Sequence, residues 1–346
     1  MMTLPYLTSS IAPIEAEFRS IPEDFEVEEI PAYPPSGNGE HVFAFIEKRG
    51  LTTKDAVRAV CEHVGADPKA AGWAGLKDRH AVTRQWVSVF GASPDAILRA
   101  GVEGIRVLEV ALHPQKLRTG HLRGNRFWIR LRQIDPSRID ALRRLLSRIE
   151  NDGLPNYYGE QRFGRDGDNA ERALRWVLGE TRAPQSGFHR KLQMSALQSR
   201  IFNRCVAARV QTSTLGKVYA GEIVKKHESG GLFVAPDVED TQARADAWEI
   251  SATGPIFGAK MRWPEGDARK REEKLLEESG LTLDRLAKWK RVAPGTRRVV
   301  RVPVRNIDLT VSDNTVELDF TLPAGSYATI LVREILKRDA RPPKTG

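Results

Sequence analysis

Cysteine is scarce in this chain. Its 346 residues hold two, Cys61 and Cys205, and that spacing offers neither a disulfide framework nor a zinc site. Both fall in helix-like stretches, where a free thiol serves as a small apolar side chain, so buried, reduced cysteines are expected. Long apolar runs are missing as well. None approaches the ~20 residues of a membrane helix. The first segment, MMTLPYLTSSIAPIEAE, lacks the basic start and apolar stretch of a signal peptide, so no membrane association and a cytoplasmic location are expected. There is no Walker A loop, no GxGxxG after a strand, no HExxH and no GxSxG. The seven histidines are scattered, with no pair at metal-ligand spacing. DGDNAE, residues 166–171, lacks the glycine and the closing Glu of a calcium loop and reads better as a helix N-cap loop. An enzyme made from this chain is therefore expected to use no metal and no cofactor. That leaves side-chain chemistry, and a carboxylate is the best candidate.

Positive charge is what the chain has in excess. The formal net charge is +9 and the isoelectric point about 9.6, a balance that draws a protein to polyanions. The excess is concentrated in residues 116–133, KLRTGHLRGNRFWIRLRQ, with six Lys or Arg and no acid. Phe127 and Trp128 lie inside that run. Basic side chains neutralise phosphates and aromatic faces accept unstacked bases. A solvated strand face is the plainer reading of the same run. If nucleic acid is the partner, RNA is favoured over DNA, because no helix-turn-helix, zinc finger or zipper pattern is present.

The length suggests about two domains, at roughly 150 residues each. FEVEEI (25–30) sets Phe25 and Val27 against Glu26 and Glu28, as a strand with one wet face does. HVFAFIEKR and RQWVSVF read as strands. So does NRFWIRLRQI, with Phe127, Ile129 and Leu131 on one face. TTKDAVRAVCEHVG and DPSRIDALRRLLSRIENDG read as helices. The first is capped by Thr52 or Thr53, the second by Asp135 with Leu142, Leu145, Leu146 and Ile149 as its apolar stripe. From about 155 to 302 the texture changes. A glycine- and tyrosine-rich loop, GLPNYYGEQRFGRDGDN, is followed by helical patterns at 169–179 and 191–211, short strands and a charged helix. The last forty or so residues return to strand alternation, in NTVELDFTL, and then a helix after a PAGS turn. Strands and helices mixed without regular βαβ alternation give an α+β class.

The stretch AGLKDRHAVTRQW places Asp78 between Lys77 and Arg79 in a glycine-flanked turn that leads into a strand. Taken with GLPNYYGEQRFGRDGDN, IPEDFEVEEI, LRGNRFWI and LPAGSYATILVRE, it resembles the TruD family of tRNA pseudouridine synthases over nearly the whole chain. The resemblance implies a discontinuous pseudouridine-synthase catalytic domain, 1–155 and 303–346, with a mixed, largely antiparallel sheet and flanking helices. It also implies an inserted α/β TRUD domain at 156–302, with tRNA bound in a basic cleft between the two. The implied reaction isomerises uridine 13 in the D-arm of tRNA, notably the glutamate acceptor. Asp78 takes the place of the family's catalytic aspartate. Phe25, Asn125 and Phe127 take positions lining the uridine site. Tyr327 stands where family members carry Phe, and Arg19 where they carry a Lys able to pair with the aspartate. No protein partner is implied, and a monomer is expected.

Pseudouridine formation breaks N1–C1′ and joins C5 to C1′ with no net oxidation and no water consumed. It needs an ionised carboxylate, acting as a nucleophile on C1′ or as a base on the sugar. A carboxylate shielded from water keeps its charge only beside a cation. Arg19 is the expected cation. Lys77 and Arg79, neighbours of Asp78 in a strand-like segment where successive side chains point to opposite faces, are expected to meet phosphates instead. Phe127 or Tyr327 could cover an extruded base, with Phe25 as a wall and Asn125 reading the uracil edge. The plain alternatives are core aromatics and turn chemistry. A non-catalytic RNA-binding protein and a cofactor-free nucleoside hydrolase are the rival functions.

Overall fold

The computed structural model describes residues 3–164 and 166–338. Three parts of the expected map lie outside the described residues: Met1 and Met2, Arg165 of the tyrosine-rich loop, and 339–346 of the second catalytic segment. Two compact units are present. The first holds Pro13–Arg143 and Val304–Gly325; the second holds the segment ending at Ala12, Arg144–Pro303 and Ser326–Arg338.

The first unit opens with β1 (Glu17–Phe18), β2 (Phe25–Pro31), β3 (His41–Arg49), α1 (Thr53–His63), β4 (Gly72–Trp73), β5 (Val82–Phe90), α2 (Pro94–Leu98), β6 (Ile105–His113) and β7 (Leu122–Arg132), and α3 (Ile139–Asp152) follows. Next come β8 (Leu154–Pro155), α4 (Asn169–Leu178), α5 (Gly187–Gln211), β9 (Ile223–Lys226), β10 (Leu232–Val234), α6 (Val238–Asp246) and β11 (Ile250–Ile256). The second unit continues with α7 (Gly266–Glu277), α8 (Leu283–Ala287), β12 (Thr296–Val299) and β13 (Arg301–Val302). The chain then returns to the first unit with β14 (Arg305–Ser312) and β15 (Thr315–Pro323), and α9 (Ala328–Leu336) belongs to the second.

Nine strands of the first unit form one sheet in the order β14-β15-β7-β2-β5-β3-β6, with β1 on β7 and β4 on β5. Among the described residues only β2 and β5 run parallel in it; the other pairings are antiparallel. The fold is α+β, with a mixed and largely antiparallel sheet. Period-two alternation explains its centre. Register sets Phe127 opposite Phe320, Ile129 opposite Leu318 and Leu131 opposite Val316. On the other side of β7, Val27 faces Phe127 and Phe25 faces Ile129. All of these side chains are buried, each contributing about 1.5–3 kcal/mol by leaving water.

The first helix, α1, forms where the apolar spacing puts it. Thr52 caps it by accepting from the Asp55 amide, and Val57, Val60 and Cys61 pack on Val42, Ala44, Ile46, Val87 and Val89. Asp135 caps less directly. Its carboxylate accepts from the Ser137 amide over a single 3-10 turn, Pro136–Arg138, and α3 starts only at Ile139. Leu142, Leu145, Leu146 and Ile149 are buried.

The second unit carries an antiparallel sheet, β10-β9-β11-β12, and a core built on Trp176, Met194, Leu197, Ile201 and Phe257. Both cysteines are free; Cys61 is buried and Cys205 only partly so, and burial pushes the Cys205 thiol up to about 11. Among the described residues no helix is long and apolar enough to cross a membrane.

Candidate active site

Asp78 lies in an irregular loop between β4 and β5, and its Oδ2 accepts from Arg19 Nη2 at 3.0 Å. The Arg19 side chain is 3% exposed and that of Asp78 21%, so one partner is enclosed while the carboxylate keeps an open side. Arg19 sits between β1 and the turn that starts β2, with φ at +63°. Left-handed backbone is unfavourable for a residue with a Cβ, at about 1–2 kcal/mol. The guanidinium lies 4.0 Å from the Phe25 ring centroid and 5.1 Å from that of Phe18, whose rings meet edge-on. Two aromatic faces thus hold the cation in place. Burial pulls the Arg19 guanidinium below its ordinary value, and the Asp78 carboxylate opposes that shift.

The Asp78 loop is pinned from several directions. Gln85 Nε2 donates to the Gly75 carbonyl at 3.1 Å, and the Lys77 amide donates to Thr53 Oγ1 at 2.9 Å. Thr53 in turn donates to Gln85 Oε1 at 2.8 Å. Lys48, fully buried, donates its ammonium to the Asp78 carbonyl at 2.8 Å and the Leu51 carbonyl at 2.7 Å. Burial pulls the Lys48 amine down to about 8. Asp78 Oδ1 accepts from the His80 amide at 3.0 Å, which leaves Oδ2 for Arg19.

Lys77 corrects the expected phosphate contact. The segment is a loop, so strand alternation does not apply, and the ammonium turns inward. It donates to Glu29 Oε2 at 3.0 Å and Asn125 Oδ1 at 2.8 Å, with side chains 6% and 1% exposed for the Lys77–Glu29 pair. Burial raises the Glu29 carboxyl, against the pull of Lys77. Arg79 stays near the surface, with Nε on the Gly50 carbonyl at 2.9 Å. Asn125 is half-buried; its amide oxygen serves Lys77. Phe25 and Phe127 are buried on the sheet, 6.1 Å apart, and Phe127 stacks on Phe320 at 5.5 Å.

The basic run is less bare than its own sequence suggests. Arg126 pairs with Asp319, Arg130 with Glu317 and Arg132 with Asp24, acids delivered from β15 and from the turn before β2. Arg118 and Arg123 are exposed, with no carboxylate partner among the described residues. Also among the described residues, no group of three or more His, Cys, Asp or Glu side chains gathers as a metal site.

The model of the family described as tRNA pseudouridine synthase D (TruD) matches residues 1–179 and 187–335. A tRNA pseudouridine synthase D from Anaeromyxobacter sp. (strain Fw109-5) is 41% identical over 99% of both chains. One from Thermus thermophilus is 41% identical over 97% of this chain and 93% of its own. The chain belongs to the TruD family. A crystal structure from Methanosarcina mazei that carries the TruD name shares the fold, at a TM-score of 0.78 and 22% identity over 97% of this chain and 96% of that one.

In this TruD chain Tyr327 lies in the second unit, half-buried, just before α9. Its ring meets Tyr158 at 6.2 Å, and burial raises its hydroxyl above the ordinary value. Tyr158 belongs to the NYYGEQRFG block, whose Arg162 donates to Ser195 and, at 3.2 Å, to Ser199. That block therefore anchors a loop to α5. Lys48 and Glu29 escaped the sequence reading, yet a signal for each was there. Lys48 keeps the phase of Val42, Ala44 and Ile46 along β3, and Glu29 keeps that of Phe25 and Val27 along β2, so both ionisable side chains fall on apolar faces.

Proposed function

We propose that this chain converts uridine to pseudouridine in tRNA, at position 13 of the D-arm, notably in the glutamate acceptor, with Asp78 as the catalytic carboxylate. One observation carries the reading: in a TruD-family chain, a carboxylate with an open side is paired to an enclosed guanidinium on a loop fixed from several directions. The names of the relatives support tRNA as substrate. This reading takes 1–155 and 303–346 as the catalytic domain and 156–302 as the insertion.

The chemistry follows from the carboxylate. Asp78 attacks C1′, or removes a sugar proton that it later returns. The N1–C1′ bond breaks with its electron pair left on uracil N1, and the freed uracil turns. C5 then bonds to C1′, displacing Asp78 where an ester had formed; the C5 proton leaves to water and N1 gains a proton. Arg19 pairs with Asp78 and fixes the direction of Oδ2. The uridine must leave its stack first, at a cost of a few kcal/mol. Phe25, Asn125 and Phe127 are the proposed pocket residues beside it.

The test uses tRNA carrying tritium at C5 of uridine. Wild-type protein is expected to release the label to water, and Asp78→Asn to bind tRNA without release. Normal turnover by Asp78→Asn removes Asp78 from the mechanism. Binding by the wild type with no release would favour a non-catalytic RNA-binding protein. Arg19→Met is expected to lose most turnover while RNA affinity falls little; a large affinity loss with unchanged turnover would put Arg19 on phosphates.

A further inference from the structure

Leu76 stands two residues before Asp78 with 66% of its surface in water, the most exposed large apolar side chain among the described residues of its unit. A lone surface leucine is ordinary. The setting of this one is not. Ala74, Ala81, Val82 and Trp86, the other apolar residues of the stretch, are buried. The backbone on both sides of Leu76 is held, through the Gly75 carbonyl and the Lys77 amide. Lys77 itself points inward. The loop therefore presents one hydrocarbon side chain outward from a fixed frame. Ile21, 45% exposed, stands likewise two residues from Arg19.

We propose that Leu76 is a wedge that enters the RNA stack and fills the gap left by the extruded uridine. The inference rests on the function proposed above. A nucleotide that swings out leaves two base faces apart, and that space accepts hydrocarbon. Leucine is among the side chains that insert between base steps, and it does so without an unmet hydrogen bond. A fixed loop loses little freedom on insertion, and the two-residue spacing from Asp78 sets the wedge beside the emptied position.

The probe is a D-arm stem–loop RNA of the glutamate acceptor, tritiated at C5 of uridine 13, with 2-aminopurine as its neighbour. Leu76→Ala is expected to lower kcat about tenfold and change KM little, while Leu76→Met restores kcat to within about twofold, since methionine is also an inserting side chain. In an Asp78→Asn background, the fluorescence rise that reports unstacking is expected with Leu76 and lost with Leu76→Ala. With an abasic neighbour, where no stack must be opened, the Leu76→Ala deficit should shrink. Wild-type turnover with an unaltered Leu76→Ala rate overturns the wedge alone. So does a deficit that is equally large on the abasic RNA. Absence of tritium release by the wild type overturns the isomerase reading, and the wedge with it.

Discussion

Lys77 inserts one ammonium between Glu29 and Asn125, which face each other across β2 and β7. Removing one partner of a buried pair strands the other charge. Glu29→Ala is therefore expected to lower unfolding free energy by about 3–5 kcal/mol, read by urea denaturation. Lys77→Met should destabilise as well. Its salt dependence of RNA binding should match the wild type, because the ammonium is not at the surface. A shallower salt slope would return Lys77 to the phosphates.

Lys48 gives a pH signature. Its amine titrates at about 8 in the folded chain, against 10.5 as the ordinary value. Below pH 8 the amine is charged in both states, and the full cost of burying that charge is present. Between those values the unfolded chain binds more protons, so stability rises with pH. The wild-type advantage over Lys48→Met should grow by roughly 3 kcal/mol across that window. A difference that stays flat with pH would show that burial does not shift this amine.

The pairing of β7 with β15 separates the arginines of the basic run into two groups. Arg118 and Arg123 are expected to touch phosphates; Arg130, held by Glu317, is not. The double variant Arg118→Ala/Arg123→Ala should reduce the slope of log affinity against log salt by roughly 1–2. Arg130→Ala should leave it unchanged. Equal effects in filter-binding titrations would mean that the ion pairs open on RNA.

Gly124, near the start of β7, lies between Ile30 and Pro323 at the ends of the two neighbouring strands. A Cβ there would stand 2.4 Å from the Leu322 carbonyl oxygen. The backbone itself blocks a side chain, so Gly124→Ala should cost about 1–3 kcal/mol, seen as a lower Tm. An unchanged Tm would mean that the two strands separate more easily than their register suggests.

Local chemistry made much of this legible in the sequence. Period-two alternation at Phe25 and Val27, at Phe127, Ile129 and Leu131, and at Val316, Leu318 and Phe320 reports one apolar face per strand. The apolar spacing and cap of α1 report a helix in the same way. What stayed hidden depends on residues far apart in the chain. Arg126 and Arg130 look uncompensated until β15 supplies Asp319 and Glu317. The inward turn of Lys77 depends on Glu29 arriving from β2. The left-handed backbone at Arg19 has no glycine to announce it. The direction of Leu76 follows from four side chains, Thr53, Gln85, Lys48 and Lys77, that no short window contains.

The two strands that complete the sheet beyond β7 are made last. When β7 leaves the ribosome, the edge that will receive Thr315–Pro323 has nothing to pair with. Phe127, Ile129 and Leu131 then wait through the synthesis of everything from Arg132 to Thr315, roughly ten to forty seconds at about 5–20 residues per second. A nascent chain with an open, apolar border for that long is exposed to mispairing and aggregation until β15 is made.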